Sequence, residues 1–123
     1  MRLQFQLSLW IPVVAYAALI FYLSSLASLP GPDILFADKV EHAIEYGILG
    51  FLLMRAIFRA GFCLDRRSAF ALVVIISFLY GVGDEIHQIF VPGRTASFFD
   101  ALFDLIGASL GSYSYPKGRI FKK

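Results

Sequence analysis

Cysteine is nearly absent from this 123-residue chain, and so are common signatures of soluble enzymes. The single cysteine, Cys63, excludes a disulfide within the chain and a metal site built from several cysteines. The sequence contains no phosphate-binding loop and no dinucleotide-binding fingerprint. It therefore indicates no cofactor, and a function has to be inferred from where its few polar residues lie.

Charged residues are also scarce, at 16% of the chain, and leave a net charge of only +2. The basic residues form small clusters instead of one broad face, which gives nucleic-acid binding little support. Hydrophobic residues, by contrast, amount to 59%, whereas about 45–50% is usual for a soluble domain. The length of the chain predicts a single domain, residues 1–123, and the apolar excess predicts that its apolar side chains face a lipid bilayer.

No charged residue occurs between Arg2 and Asp33. A membrane-spanning helix needs about 20 predominantly apolar residues, and the run from Leu7 to Leu29 is longer than the roughly 7–15 residues of a signal-peptide core. We therefore predict a retained helix here, although "SSLAS" offers a small-residue cleavage pattern. Three further apolar segments make the chain all-α by prediction, a polytopic membrane protein with four transmembrane helices in a compact bundle. The predicted helices cover about 7–29, 38–58, 68–90 and 98–115.

The placement of lysine and arginine predicts how these helices are oriented, because such residues accumulate in cytoplasmic loops. They cluster at the N-terminus, between helices two and three, and in the C-terminal tail: Arg2; Arg55, Arg59, Arg66 and Arg67; Lys117, Arg119, Lys122 and Lys123. All three regions should be cytoplasmic, which four spans allow. Both termini then lie inside, and the loops before helices two and four lie outside.

Polar residues collect where helix two begins, helix three ends and helix four begins. All three points fall at the predicted outer membrane face, and residues three or four apart share one face of a helix. Each of these helices can therefore turn a polar face toward the same interior volume. The candidate functional cluster consists of Asp38, Lys39, His42, Tyr46, Asp84, Glu85, Gln88, Arg94, Asp100 and Asp104.

This predicted cluster contains more acid than nearby base. A charged side chain costs about 2.5–3.5 kcal/mol at the bilayer centre, and like charges held close together raise the pKa of at least one of them. Some carboxylates are therefore expected to be protonated, to reach water, or to bind a cation or a cationic ligand. Arg94 is equally suited to contact a ligand or to clamp Glu85 or Asp100 across two helices.

The two histidines have an ordinary interpretation, in which each is neutral and hydrogen-bonded to a nearby carboxylate. We favour it over metal binding, so no metal is predicted. A weaker alternative is a zinc site with nitrogen and oxygen ligands from Glu41, His42, Glu85 and His87. Ser97 or Thr95 is predicted to cap helix four, and the GxxxG at Gly107 and Gly111 is predicted to allow close helix packing.

Three sequence blocks resemble the VanZ-like family of small bacterial membrane proteins: "DKVEHAIEYGILG", "DEIHQIFVPGR" and "SFFDALFDLIG". The resemblance implies a multi-pass protein of the bacterial cytoplasmic (inner) membrane and a role related to the cell envelope. The family takes its name from a member associated with resistance to the glycopeptide antibiotic teicoplanin. One departure is Asp104, where the family pattern more often has asparagine.

Four functions are compatible with the sequence. The favoured one is a protein that binds an envelope-related ligand, such as an anionic lipid, a cell-envelope precursor, or the positively charged part of an envelope ligand. The second is a polar network with a structural role only. The third is an outer-leaflet hydrolase or transferase with Glu85 or Asp84 as the base and His42 or His87 as the acid or a metal ligand. The fourth is a small proton-coupled transporter, and the sequence leaves the oligomeric state open.

Overall fold

The computed structural model describes residues 2–26 and 37–116, which form four α-helices. They are α1 (Arg2–Ser25), α2 (Ala37–Ala60), α3 (Arg66–Ile89) and α4 (Phe98–Ser114). The described ranges contain no strand, so the all-α prediction is confirmed.

The first helix is displaced toward the N-terminus relative to the prediction of residues 7–29. It begins at Arg2 because the polar residues ahead of the apolar run join the helix, and Gln6 donates a 3.1 Å hydrogen bond to the carbonyl of Ala60. It ends at Ser25, and the remainder of the predicted segment from residue 27 lies outside the described residues.

Two of the four helices are long and apolar enough to cross a membrane by length and composition, α1 and α3. Large apolar side chains on α1 point away from the other helices, including Leu3, Ile11 and Val14, which are 70, 58 and 65% exposed. An apolar surface of this kind is usually covered by lipid or by another protein. By contrast, α2 begins with a polar turn, and α4 has only 17 residues, with Asp100 in its first turn; both helices carry the small residues of the helix interface.

The closest packing joins α2 to α4 through glycines. A Cβ atom on Gly111 would overlap the backbone carbonyl of Gly47, and one on Gly107 would overlap the carbonyl of Ala43. Glycine therefore lets the two backbones touch, as the GxxxG pattern predicted. This contact fixes the rotation of α4 against α2 and so determines which α4 side chains face the interior.

Side-chain caps define where α3 and α4 begin. The carboxylate of Asp65 accepts a hydrogen bond from Ser68 N, which holds the pKa of that carboxyl below its usual value. The hydroxyl of Ser97 accepts from Phe99 N at the start of α4, so the predicted cap is provided by Ser97. The Asp65 cap also explains why α3 begins two residues before the predicted residue 68.

The bundle has a polar end, where α1 and α3 finish and α2 and α4 begin. At the opposite end, Arg66 donates to the backbone carbonyls of Tyr113 and Tyr115, at 2.8 and 3.0 Å. The fold thus separates most of the acidic residues from the arginines of the α2–α3 connection.

Candidate functional site

His42 lies at the centre of the polar end. It is 8% exposed, and its Nδ1 is 2.8 Å from Oδ1 of Asp104, a residue that is fully buried. The distance and burial identify a hydrogen-bonded pair that links α2 to α4. The ordinary interpretation of His42, an imidazole paired with a carboxylate, therefore agrees with this geometry.

Lys39 forms the second link between these helices. Its Nζ donates to Oδ2 of Asp38 at 2.8 Å and to Oδ1 of Asp100 at 3.0 Å. The Asp38 side chain is 60% exposed, whereas that of Asp100 is 7% exposed. The pair with Asp100 is consequently the more shielded of the two, and the lysine charge is directed to partners within the chain.

Glu85 connects α3 to the start of α4. Its Oε2 accepts a 3.0 Å hydrogen bond from the backbone N–H of Ser97. Its Oε1 is buried and has no hydrogen-bond partner among the described residues, and it lies 4.0 Å from Nδ1 of His42. Lys39, His42, Glu85, Asp100 and Asp104 are called the buried polar cluster below.

Tyr46 and Gly81 form the floor of the cluster. Tyr46 is fully buried, and within the described ranges its hydroxyl has no hydrogen-bond partner. Gly81 leaves room for both Tyr46 and Asp104, because a Cβ atom there would come within 2.8 Å of Oδ2 of Asp104 and 3.3 Å of the Tyr46 ring. The sequence did not identify Gly81, since its role depends on how α4 packs against α3.

Asp84 and Gln88 also face the interior, one helical turn apart on α3. They are 6 and 3% exposed. The predicted interior face of α3 is therefore formed by these two residues, together with Glu85. His87, which is three residues from Asp84 and therefore expected on the same face of the helix, points elsewhere.

His87 lies against α1. Its ring stacks on Phe21 with the centroids 4.4 Å apart, and its Nε2 is 2.9 Å from the hydroxyl of Ser25. Glu41 is exposed on α2. The zinc site suggested by the sequence is therefore not formed. The rotations of α2 and α3 keep His42 and Glu85 close together but turn Glu41 and His87 away from them.

Arg94 does not clamp Glu85 or Asp100. Its Nε donates to the carbonyl of Leu26 at 2.9 Å and its Nη2 to the carbonyl of Leu23 at 3.2 Å. The last carbonyls of a helix have no partner within the helix itself, so the guanidinium satisfies the end of α1. The turn at Gly93, with a φ of 78°, directs the arginine there.

Replacing Arg94 by alanine should loosen the end of α1 without disturbing the buried polar cluster. Two hydrogen bonds are lost, each contributing about 0.5–1.5 kcal/mol. Amide hydrogen exchange should become faster in the last turn of α1, whereas the amides of α2 and α4 keep their protection. Arg94→Lys, which retains the charge but not the planar fork, should show a smaller effect, and uniform loss of protection would contradict this role.

An apolar recess lies beside the cluster, between α3 and α4. It has a volume of about 280 Å³. Glu85 and Ser97 form its polar edge, and the other lining residues are Val82, Ile86, Ile89, Ala96, Phe98 and Ala101. Ile86, Ile89 and Phe98 are 55, 62 and 79% exposed, so the recess opens outward from the helices.

One motif in α4 resembles a catalytic signature without forming one. Residues 107–111 read G-x-S-x-G, a pattern that in hydrolases places a serine on a sharp turn between a strand and a helix. Here the segment is continuous helix, and the hydroxyl of Ser109 donates a 2.7 Å hydrogen bond to the carbonyl of Leu105. Ser109 therefore lacks the geometry of an activated nucleophile.

Comparison with protein families identifies the family of the chain. The family model described as VanZ/LLP1 matches residues 2–122. Searches of the curated proteins and of the solved structures give no significant match.

Proposed function

The chain belongs to the VanZ/LLP1 family, and from this premise we propose that it is a four-pass protein of the bacterial inner membrane that binds an envelope-related ligand at its polar end. Both termini would be cytoplasmic, and the polar end would face the extracytoplasmic side. The family and the two apolar helices together indicate a membrane protein. The separation of acidic residues from loop arginines supports the orientation.

The observation that carries ligand binding is the unpaired Oε1 oxygen of Glu85. This oxygen is buried without a hydrogen-bond partner in the described part of the chain, and Oδ2 of Asp104 is in the same state. Buried polar atoms in native proteins are almost always paired, and a purely structural network would satisfy them. Such oxygens are suited to a ligand that brings hydrogen-bond donors or positive charge.

The recess between α3 and α4 supports an amphiphilic ligand. Its walls are apolar and open toward the surrounding lipid, whereas Glu85 and Ser97 line its polar edge. A ligand with an acyl chain in the recess could therefore bring its headgroup to the buried polar cluster. Because Lys39 and Arg94 already contact other groups of the chain, direct binding of an anionic headgroup has less support than contact through the carboxylates.

Native mass spectrometry of the gently purified protein tests this function. The wild type should retain a lipid-sized adduct, and Glu85→Gln should lose most of it, because the amide removes the charge of Oε1. Gln can still accept the hydrogen bond from Ser97 N at its carbonyl oxygen, so folding should persist. Glu41→Gln is the matched control, since Glu41 is exposed on α2, and its adduct should be unchanged.

Two results would contradict ligand binding. One is an adduct retained equally by wild type and Glu85→Gln. The other is a wild type without adduct even after incubation with bacterial membrane lipids, together with reduced stability of Glu85→Gln, which would favour the structural network. A link to teicoplanin resistance is implied by the family resemblance alone, and in this proposal it would act through the polar end of the bundle.

A further inference from the structure

We propose that His42, Glu85 and Asp100 bind one divalent metal ion. Each offers a ligand atom, the three atoms lie within 4.8 Å of one another, and all three residues are buried. This set shares only His42 and Glu85 with the one suggested by sequence spacing. Asp100 takes the place of the two residues that the helix rotations turn away.

A hydrogen bond already holds the second polar atom of each proposed ligand. Nδ1 of His42 is paired with Asp104. Oε2 of Glu85 accepts from Ser97 N, and Oδ1 of Asp100 accepts from Lys39. Second partners of this kind orient metal ligands in proteins, and a carboxylate on the far nitrogen of a histidine is one of those found in metal sites.

One ligand atom from each of the three side chains lies within 4.8 Å of the other two. Nε2 of His42 is 3.9 Å from Oδ2 of Asp100. Oε1 of Glu85 is 4.0 Å from Nδ1 of the same ring, the nitrogen that is paired with Asp104, so the Glu85 carboxylate has to rotate toward Nε2. Ligand atoms around a tetrahedral zinc ion are about 3.4 Å apart when the bonds are about 2.0–2.1 Å. Small side-chain rotations would therefore bring these atoms to coordination distance.

Glu85 provides an independent indication of a missing ligand. The side chain is nine-tenths buried, and Oε1 has no hydrogen-bond partner among residues 2–26 and 37–116. An ionised carboxylate oxygen in that position is strongly destabilising unless a cation neutralises it. A metal ion between Glu85 and its two neighbours would supply that charge.

The ligand chemistry selects the class of metal. One imidazole and two carboxylates suit Zn²⁺ and neighbouring first-row divalent ions better than Mg²⁺ or Ca²⁺, which prefer oxygen alone. Three protein ligands leave a coordination position open. This inference rests on the proposed function: the open coordination position is suited to an oxygen atom of the headgroup of the bound ligand. The metal would then allow the protein to bind ligands whose headgroups carry phosphate.

Zn²⁺ titration of the chelator-treated, full-length protein in detergent tests the site, with a chromophoric chelator as competitor. The wild type should bind one Zn²⁺ per chain. Asp104→Asn keeps an acceptor for Nδ1 of His42 but loses the negative charge that makes the imidazole a stronger ligand, so binding should weaken by up to about 10-fold, whereas Glu85→Gln and Asp100→Asn should weaken it more. Glu41→Gln and His87→Ala should bind like the wild type, and circular dichroism should show that all variants remain folded.

Loading the protein with Co²⁺ instead of Zn²⁺ gives an absorption spectrum that reports on the metal ligands and does not depend on the stability of the fold. Its visible absorption bands should appear in the wild type and shift or vanish in Asp100→Asn. A wild type without stoichiometric Zn²⁺, or Glu85→Gln and Asp100→Asn proteins with wild-type affinity, would overturn the metal site. A lipid adduct that persists in metal-free protein would contradict a metal that holds the headgroup, and it would leave ligand binding itself supported.

Discussion

Asp104→Ala should destabilise the folded protein by about 1–3 kcal/mol, the usual cost of leaving a buried hydrogen-bond donor without its partner. The substitution deletes the acceptor at 2.8 Å from Nδ1 of His42. The next carboxylates, on Asp100 and Glu85, are 3.9 and 4.0 Å from the ring, too far for a hydrogen bond. The imidazole would remain buried without its partner.

The free energy of unfolding in mixed micelles measures this effect. Asp104→Asn should be much less destabilising, because the amide oxygen can still accept from Nδ1. Asp38→Ala is the control at the same end of the bundle. Its side chain is 60% exposed, and exposed ion pairs contribute only about 0–1 kcal/mol. Equal losses in Asp104→Ala and Asp38→Ala would contradict the central role of the His42–Asp104 pair.

Gly111→Ala should produce the second large effect, a loss of about 1–3 kcal/mol or more, as expected for overpacking a tight interface. The added methyl group would overlap the backbone of Gly47. Relief requires α4 to move away from α2, because the obstructing atoms are backbone and cannot change rotamer. The same movement would pull Asp104 and Asp100 away from His42 and Lys39.

Gly83→Ala provides the matched comparison. Gly83 is also a helical glycine, but a Cβ atom there would meet nothing within 4 Å among the described residues. Alanine favours helix over glycine by up to about 1 kcal/mol, so Gly83→Ala should be neutral or stabilising. A Gly111→Ala protein as stable as Gly83→Ala would show that α2 and α4 are not in the tight contact described.

The sequence was sufficient to predict the four helices and the convergence of their polar ends. Apolar runs define helices, and alternating chain direction brings the end of α3 to the starts of α2 and α4. The pairing of His42 with a carboxylate was also predicted, although its partner was not. The identity of Asp104 as that partner depends on how far α4 rotates against α2, which backbone contact at Gly107 and Gly111 determines.

Helix rotation and loop geometry account for what the sequence did not predict. His87 is three residues from Asp84, but it turns toward Phe21 instead of the interior. Arg94 follows a left-handed glycine, and the direction of such a turn decides whether the arginine meets a carboxylate or a helix end. Residue spacing does not indicate the direction of the His87 or the Arg94 side chain, because both directions depend on the position of α1.

Labelling of the native thiol tests most directly whether the polar end faces outward from the membrane. Cys63 is exposed in the α2–α3 connection, and Thr95 is exposed beside α4 at the other end. In intact cells, a membrane-impermeant maleimide should leave Cys63 unmodified and should modify Thr95→Cys in a Cys63→Ala background. Permeabilisation should then expose Cys63. Labelling of Cys63 before permeabilisation, with Thr95→Cys protected, would place the buried polar cluster on the cytoplasmic side and contradict a site for an extracytoplasmic ligand.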